Sequence, residues 1–413
     1  MIAAATNASQ NMESSPRTTT PTPRPRLSPW DPESLIRDLC RLPHRGTTTS
    51  EERAAAEWTG DRLRALGLEP ELERFDAPTS FAWSYMAIFG AFLGCSALSL
   101  VAPTLALIGC LALCAFYVVE QASWARIPVR FLPHGTSQNV MATIRPAREK
   151  RRTLILAAHL DTSRSGPMFD PKMVVTFRAT YLLALGCQYG LAGVCAARAL
   201  GFATAWVAGL QLAIAGYMLF AITLLGWREL FGAYVNGAND NASGVASLLA
   251  LAADLTERPP QHTEVRLLFT GAEEVGMAGM KHFIATHGAD YPKDSTEFIV
   301  IDNAGAGKLR YCTGEGTIMP FPYSEGLIRV ANELSAEHRF QGVRPHFYSR
   351  AYFDTLVPAS RGWGCMTLVA VDDRALIPNW HWPTDTVDNV DFGLVRQVRE
   401  FATAMVRRVD EAS

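Results

Sequence analysis

The sequence predicts an α/β fold, a three-layer sandwich with a mostly parallel central sheet, into which about four transmembrane helices are inserted as two hairpins. Short β-branched and aliphatic runs alternate with helical patterns along the polar part of the chain, the order expected of a parallel sheet covered on both faces. The apolar excess is gathered in two blocks rather than spread evenly. Residues of metal-ligand type directly follow successive strand runs.

Composition sets the frame. The 413 residues are 48% hydrophobic and 19% charged, where about 25% charged is usual, and the mean hydropathy is +0.06. That balance excludes a disordered protein. A net charge of -2 provides no field that would gather DNA or RNA, so no nucleic-acid partner is expected. The eight cysteines form no CxxC pair and no even spacing, which points to a reducing compartment without a disulfide scaffold. The start, MIAAATNASQNMESS, has neither a basic segment nor an apolar run of signal-peptide type.

Residues 1–30 are rich in Thr, Pro and Arg and read as a solvated, disordered tail. DPESLIRDLCRLP and SEERAAAEWTGDRLRALG follow as helices, each opened by an Asp or Ser cap, the second closed by Gly67. Strands are expected at NVMATI (139–144), TLILAA (153–158), EVRLLFT (264–270), EFIVI (297–301) and MTLVAV (366–371). Helical patterns fill 245–256, 277–288, 324–338 and 392–409.

The two apolar blocks interrupt this order. Phe81 to Val119 is 39 residues without a charge, with Pro103 near its middle. As helix that is about 58 Å, enough to cross a ~30 Å hydrocarbon core twice. Ala179 to Trp227 is 49 residues with one charge, Arg198, again near the middle. Neither block shows the polar stripe of a core helix in a soluble domain. Each hairpin goes in and returns, so all polar sequence lies on one side. Arg126, Arg130, Lys172, Arg178 and Arg228 flank that side and only Arg198 the other, which by the positive-inside rule places the polar part in the cytoplasm. The expectation is therefore an integral membrane protein with one catalytic domain over 31–413, interrupted at about 81–119 and 179–227.

In such a sheet, ligands gather beyond the carboxyl ends of the strands. His159-Leu160-Asp161 follows the first buried run, Gly271-Ala272-Glu273-Glu274 the next, and Asp302 the third. Asp240 stands in a Gly/Asn turn, GANDNASG, that opens a helix, and His381 in a loop before the last helix. Mixed imidazole and carboxylate ligands suit zinc, with cobalt or manganese as substitutes. Five ligand-type residues exceed one catalytic zinc with three protein ligands and fit two ions sharing a carboxylate.

The HxD after a strand, GANDNASG, GAEEVGMAG, the Asp of IDNAG and HWPTDTVDNV occur in the order seen in the di-zinc exopeptidases. Over 138–161 and 234–409 the chain resembles that family, which includes the bacterial leucyl aminopeptidases, aminopeptidase S and the glutamate carboxypeptidase-like proteins. The resemblance implies a zinc-exopeptidase fold with a mixed, mostly parallel sheet. It implies two Zn2+, with His159 and Asp302 on one, Glu274 and His381 on the other, and Asp240 bridging. Glu273 would be the general base, and Asp161 would accept the free ring N–H of His159 and orient it. The implied substrate is a peptide, cut at its amino end. A carboxypeptidase, a deacylase, a glutaminyl cyclase-like enzyme and a non-catalytic membrane scaffold are the alternatives.

Two departures stand out. His159 and Asp240 are 81 positions apart because the second hairpin lies between them, which sets the rim of the site near the bilayer. The segment 348–363 does not follow the family's usual Ser-Asp box. Asp385 and Asp388 read as caps of the turn before the last helix.

Overall fold

A computed structural model describes residues 28–412; most of the expected tail lies outside them. Nine strands form one sheet: β1 (Glu71–Pro78), β2 (His134–Ile144), β3 (Arg152–His159), β4 (Thr263–Thr270), β5 (Thr296–Ile301), β6 (Lys308–Glu315), β7 (Phe321–Pro322), β8 (Arg344–Tyr348) and β9 (Gly364–Val371). Their order is β1-β2-β4-β3-β5-β9-β6-β7, with β8 on β6. The four central strands β4, β3, β5 and β9 are parallel, and β1, β2 and β6 add antiparallel pairs toward the edges. The five expected strands are present. β1, β6, β7 and β8 are additional.

The polar helices are α1 (Pro32–Leu39), α2 (Ser50–Ala65), α7 (Ser243–Glu257), α8 (Ala278–His287), α9 (Glu325–Ser335), the short α10 (Leu356–Ala359) and α11 (Phe392–Glu411). Asp31 caps α1 through the Glu33 N–H. The cap of α2 is Thr49, one residue before the expected serine, and it accepts from Glu52. Gly67 follows α2 with φ +77°, the left-handed conformation that glycine adopts without strain. Two buried clusters sandwich the sheet: one includes Leu154, Leu156 and Leu267 with helices α1, α7 and α11, the other Ile155, Ala157 and Leu268 with α8 and α10. The alternation along β3 is that of a strand buried on both faces.

The two apolar blocks form α3 (Phe81–Leu98), α4 (Pro103–Gln121), α5 (Phe177–Ala199) and α6 (Ala205–Phe231). All four are long and apolar enough to cross a membrane. α3 packs on α4 and α6, and α5 on α4 and α6, so the helices close a ring. Their outer face is apolar, with Trp206 89% and Leu212 73% exposed. Arg198, near the turn of the second hairpin, is held by Gln211, whose amide in turn donates to Ser96 and Ser99.

The second hairpin closes on itself where it leaves the sheet. Ser165 N–H donates to Ala233 O at 2.8 Å and Val235 N–H to Ser163 O at 3.0 Å. Arg228 was counted among the flanking charges, but its side chain is buried. It donates to Ser163 Oγ, Ser80 Oγ and the Arg164 carbonyl and lies over the Phe81 ring at 4.3 Å. Arg45, also buried, donates from one guanidinium to Leu160 O, Asn236 O and Gly237 O at 2.7–2.8 Å. These bonds bring the two ends of the long insertion together, as short loop closure demands.

Candidate metal centre

His159 ends β3, Glu273 and Glu274 follow β4, and Asp302 follows β5. Because β4, β3 and β5 are neighbours, the three strand ends meet in one place, at the carboxyl edge of the parallel strands. Asp240 arrives from the turn before α7. Gly237 turns the chain there with φ +70°, and a Cβ on it would stand 2.2 Å from Thr162 Cγ2, so no larger residue fits. His381 arrives from the loop between β9 and α11.

The donor atoms fall into two groups, His159–Asp240–Asp302 and Asp240–Glu274–His381, each close enough to hold one ion. Nε2 of His159 lies 3.1 Å from Asp240 Oδ1 and 3.5 Å from Asp302 Oδ1. Nε2 of His381 lies 3.1 Å from Asp240 Oδ2 and 2.9 Å from Glu274 Oε2. The two carboxylate oxygens of Asp240 thus face different groups. All five side chains are buried.

This donor set fits divalent ions. Three carboxylates and two imidazoles share a site with little solvent, and buried charges of one sign require cations to balance them. Asp240 Oδ2 and Glu274 Oε1 are buried with no hydrogen-bond donor, which leaves their lone pairs free for coordination. The negative field shifts the protonation of these groups. Burial would lower the His159 imidazole, but Asp302, Asp161 and Asp240 raise it well above its ordinary value. Burial is outweighed in the same way at His381, which Glu274 and Asp240 push up to about 9. Burial raises the carboxyls of Glu274 and Asp302, whereas the two imidazoles hold Asp240 well below the carboxylate range despite its burial.

Glu273 lines the cavity beside these groups. Burial, with Asp354, Glu274 and Asp302 nearby, raises its carboxyl well above the ordinary value. Asp161 takes a different position from the expected one. Its carboxylate is 3.6 Å from His159 Nδ1, too far for a hydrogen bond; the ring nitrogen is instead 3.1 Å from the Asp161 main-chain carbonyl. The carboxylate accepts the N–H groups of Glu273 and Glu274 at 2.9 and 3.2 Å and the Thr47 hydroxyl at 2.7 Å. Asp161 thus anchors the backbone of the paired glutamates.

Three acidic residues around the site were not read as part of it. Asp385 is no turn cap: it accepts the N–H of Asn239 at 2.6 Å and of Asp240 at 3.0 Å. Glu52 accepts the Ala272 N–H and the Ser137 hydroxyl beneath the same glutamate loop. Asp354, from the segment that departs from the family, is buried and takes the Thr270 hydroxyl at 2.5 Å. Tyr348 and residues 350–353 of that segment wall the cavity, which measures about 540 Å3.

The fold is one shared with solved zinc aminopeptidases and glutaminyl cyclases. The model of Peptidase family M28 matches residues 225–406. The chain is 25% identical over 185 residues to the probable lipoprotein aminopeptidase LpqL of Mycobacterium tuberculosis, a match covering 38% of this chain and 36% of that protein. Among solved structures, the zinc aminopeptidase BSAP of Bacillus subtilis superposes with a TM-score of 0.56 at 14% identity, covering 92% of this chain and 94% of that one. The glutaminyl cyclase of Porphyromonas gingivalis does so with 0.53 at 15% identity, covering 94% and 99%.

Proposed function

We propose that the protein is a membrane-anchored di-zinc exopeptidase of the aminopeptidase type, a single catalytic domain interrupted by two membrane hairpins. The observation that carries this reading is the divided Asp240 carboxylate, one oxygen toward His159 and the other toward His381. In this reading His159, Asp302 and Asp240 hold one ion, and Glu274, His381 and Asp240 the other. Bound there, zinc supplies Lewis acidity that polarises an amide carbonyl and makes water nucleophilic near neutral pH. Glu273, ionised once cations balance the neighbouring carboxylates, takes the proton from the attacking water. The water oxygen joins the carbonyl carbon, the C–N bond breaks, and Glu273 returns the proton to the leaving amine. Asp161, on the Glu273 N–H, and Glu52, on the N–H of the preceding Ala272, keep this loop fixed during the exchange. Burial of the site strengthens every one of these interactions by excluding water.

Four apolar helices with an apolar outer face support the membrane anchor, and the excess of flanking basic residues, four to one with the buried Arg228 set aside, supports a cytoplasmic catalytic part. The test is purification in detergent with metal analysis and a substrate screen. The expected result is two zinc ions per chain, activity on free amino ends that chelator removes, and a Glu273→Gln protein that keeps its metal but loses activity by about a thousandfold. An active Glu273→Gln protein would overturn the mechanism; activity restricted to N-blocked or carboxyl-terminal substrates would overturn the aminopeptidase assignment.

A further inference from the structure

The cavity that holds the acidic cluster does not stop at the sheet. It continues without interruption between the four apolar helices, so that the wall bearing Asp240 and Glu274 also bears Phe89 of α3, Ala184 of α5 and Leu224 of α6. Along α3 its lining runs from Phe81 to Phe89, about 12 Å at 1.5 Å per residue. That is most of one leaflet of a ~30 Å hydrocarbon core. A peptidase acting on soluble peptides has no need of such an extension.

The deep part is apolar, and the polar side chains among its walls are engaged with one another. Gln121 of α4 donates to Tyr85 and Glu120 and accepts from Tyr181. Thr180 of α5 and Phe220 of α6 line the cavity and are also exposed on the outer surface, Phe220 by 64%. Between them the Tyr217 hydroxyl donates to the Thr180 carbonyl at 3.2 Å and joins the two helices. The same surface carries the exposed apolar side chains of α5 and α6, where lipid would lie.

The lining selects the occupant. The arm between the helices is walled by Phe89, Ala184, Ala221 and Leu224, an apolar surface that suits an extended hydrocarbon chain and offers no partners to the polar backbone of an extended peptide.

We propose that the substrate is an amphiphilic amide carrying a single long alkyl or acyl chain, which enters from the bilayer between α5 and α6. The chain lies between the four helices while the amide reaches the acidic cluster. This rests on the amide-hydrolase reading of that cluster and names its substrate class. The bond change is the same hydrolysis: water oxygen to the carbonyl carbon, C–N cleaved, the water's proton to the departing amine.

The test uses the zinc-loaded full chain in one detergent with two substrate series, leucyl n-alkylamides and N-acyl-leucines, each from two to twelve carbons. The two series distinguish a chain on the leaving amine from one on the acyl side. Binding of the same compounds is measured on Glu273→Gln protein. In one series affinity and kcat/KM are expected to rise about fourfold per methylene until the chain reaches the cavity floor. Ala221→Trp, which fills the cavity from α6, flattens that slope; Ala184→Trp does the same from α5 should the first variant fail to fold. Comparison of slopes removes partition into detergent, which is common to all variants. Equal slopes in wild type and both variants, or no slope at all, would overturn the proposal even if leucine p-nitroanilide is cleaved. A binding slope without turnover of any substrate would instead sustain the chain site and sink the exopeptidase reading.

Discussion

The carboxylate of Asp385 receives the main-chain N–H of Asp240 at 3.0 Å, and that of its neighbour Asn239 at 2.6 Å. The residue that divides its oxygens between two ligand groups is therefore held by a second acid, 145 positions later in the chain. Burial, with Asp240 close by, pushes the Asp385 carboxyl up to about 7. Its role is positional, since its acceptors are spent on backbone donors.

Asp385→Asn keeps the volume but offers only one acceptor oxygen to two donors. Metal affinity should fall by about 10- to 100-fold, as for other groups that orient a ligand. Titration with a competing chelator reads this directly. Excess zinc should restore kcat, because Asp385 itself takes no part in the proton transfers. Unchanged affinity would show that the turn before α7 holds Asp240 without help.

Ion stoichiometry separates shared from private ligands. Asp302→Ala should leave one zinc per chain and Glu274→Ala likewise one, whereas Asp240→Ala should leave close to none, since both groups lose a member. Elemental analysis of the purified variants decides it. One tightly held zinc in Asp240→Ala would refute the bridge.

Arg228 joins the helix ring to the sheet. Its guanidinium serves Ser80, Ser163, Glu229 and the Arg164 carbonyl at once, within a buried junction. Arg228→Met should destabilise the fold by about 3 kcal/mol, the cost of removing the hydrogen bonds to these four groups from a buried junction in which Glu229 keeps only the Ser80 hydroxyl and a 3.9 Å contact with Arg164. Arg228→Lys should recover little, because an ammonium cannot reach four acceptors spread around a planar fork. Thermal unfolding in detergent checks the order wild type, Lys, Met; a Met variant as stable as wild type would show that packing alone holds the junction.

The parts of this molecule that were legible in the sequence are those set by local pattern. The buried strands β3, β5 and β9 read as near-continuous apolar runs, and β4 as one broken by Arg266, because both their faces are covered. The ligand residues were legible because each follows such a run. β1, ELERFDAP, was missed since it is an edge strand paired only to β2, with charged side chains toward solvent. Asp385, Glu52 and Arg45 were missed for a different reason. Each acts on backbone groups of a segment far away in sequence, and nothing about an isolated Asp, Glu or Arg announces which main chain it will meet. The same holds for Asp161, whose spacing suggested a bond to His159 that its carboxylate makes to the Glu273 and Glu274 N–H groups instead.

Glu315 offers a pH test away from the ligands. It ends β6, fully buried, where it accepts the Phe353 N–H at 2.8 Å and lies 2.7 Å from the Tyr323 hydroxyl. Burial raises its carboxyl from the ordinary 4.5 to about 7. The folded chain therefore binds this proton more tightly than the unfolded chain does. The protonated form stabilises the fold fully below about pH 4.5, and that contribution is lost as pH rises through 7. Linkage makes the loss about 3 kcal/mol across this window. Glu315→Gln keeps an acceptor for Phe353 and a donor for Tyr323 and carries no proton to lose, so it should be flat over the same range. Thermal unfolding of both proteins from pH 5 to 8 should show wild type falling progressively below the variant. Parallel profiles would mean that Glu315 stays neutral across the range or is solvated when charged.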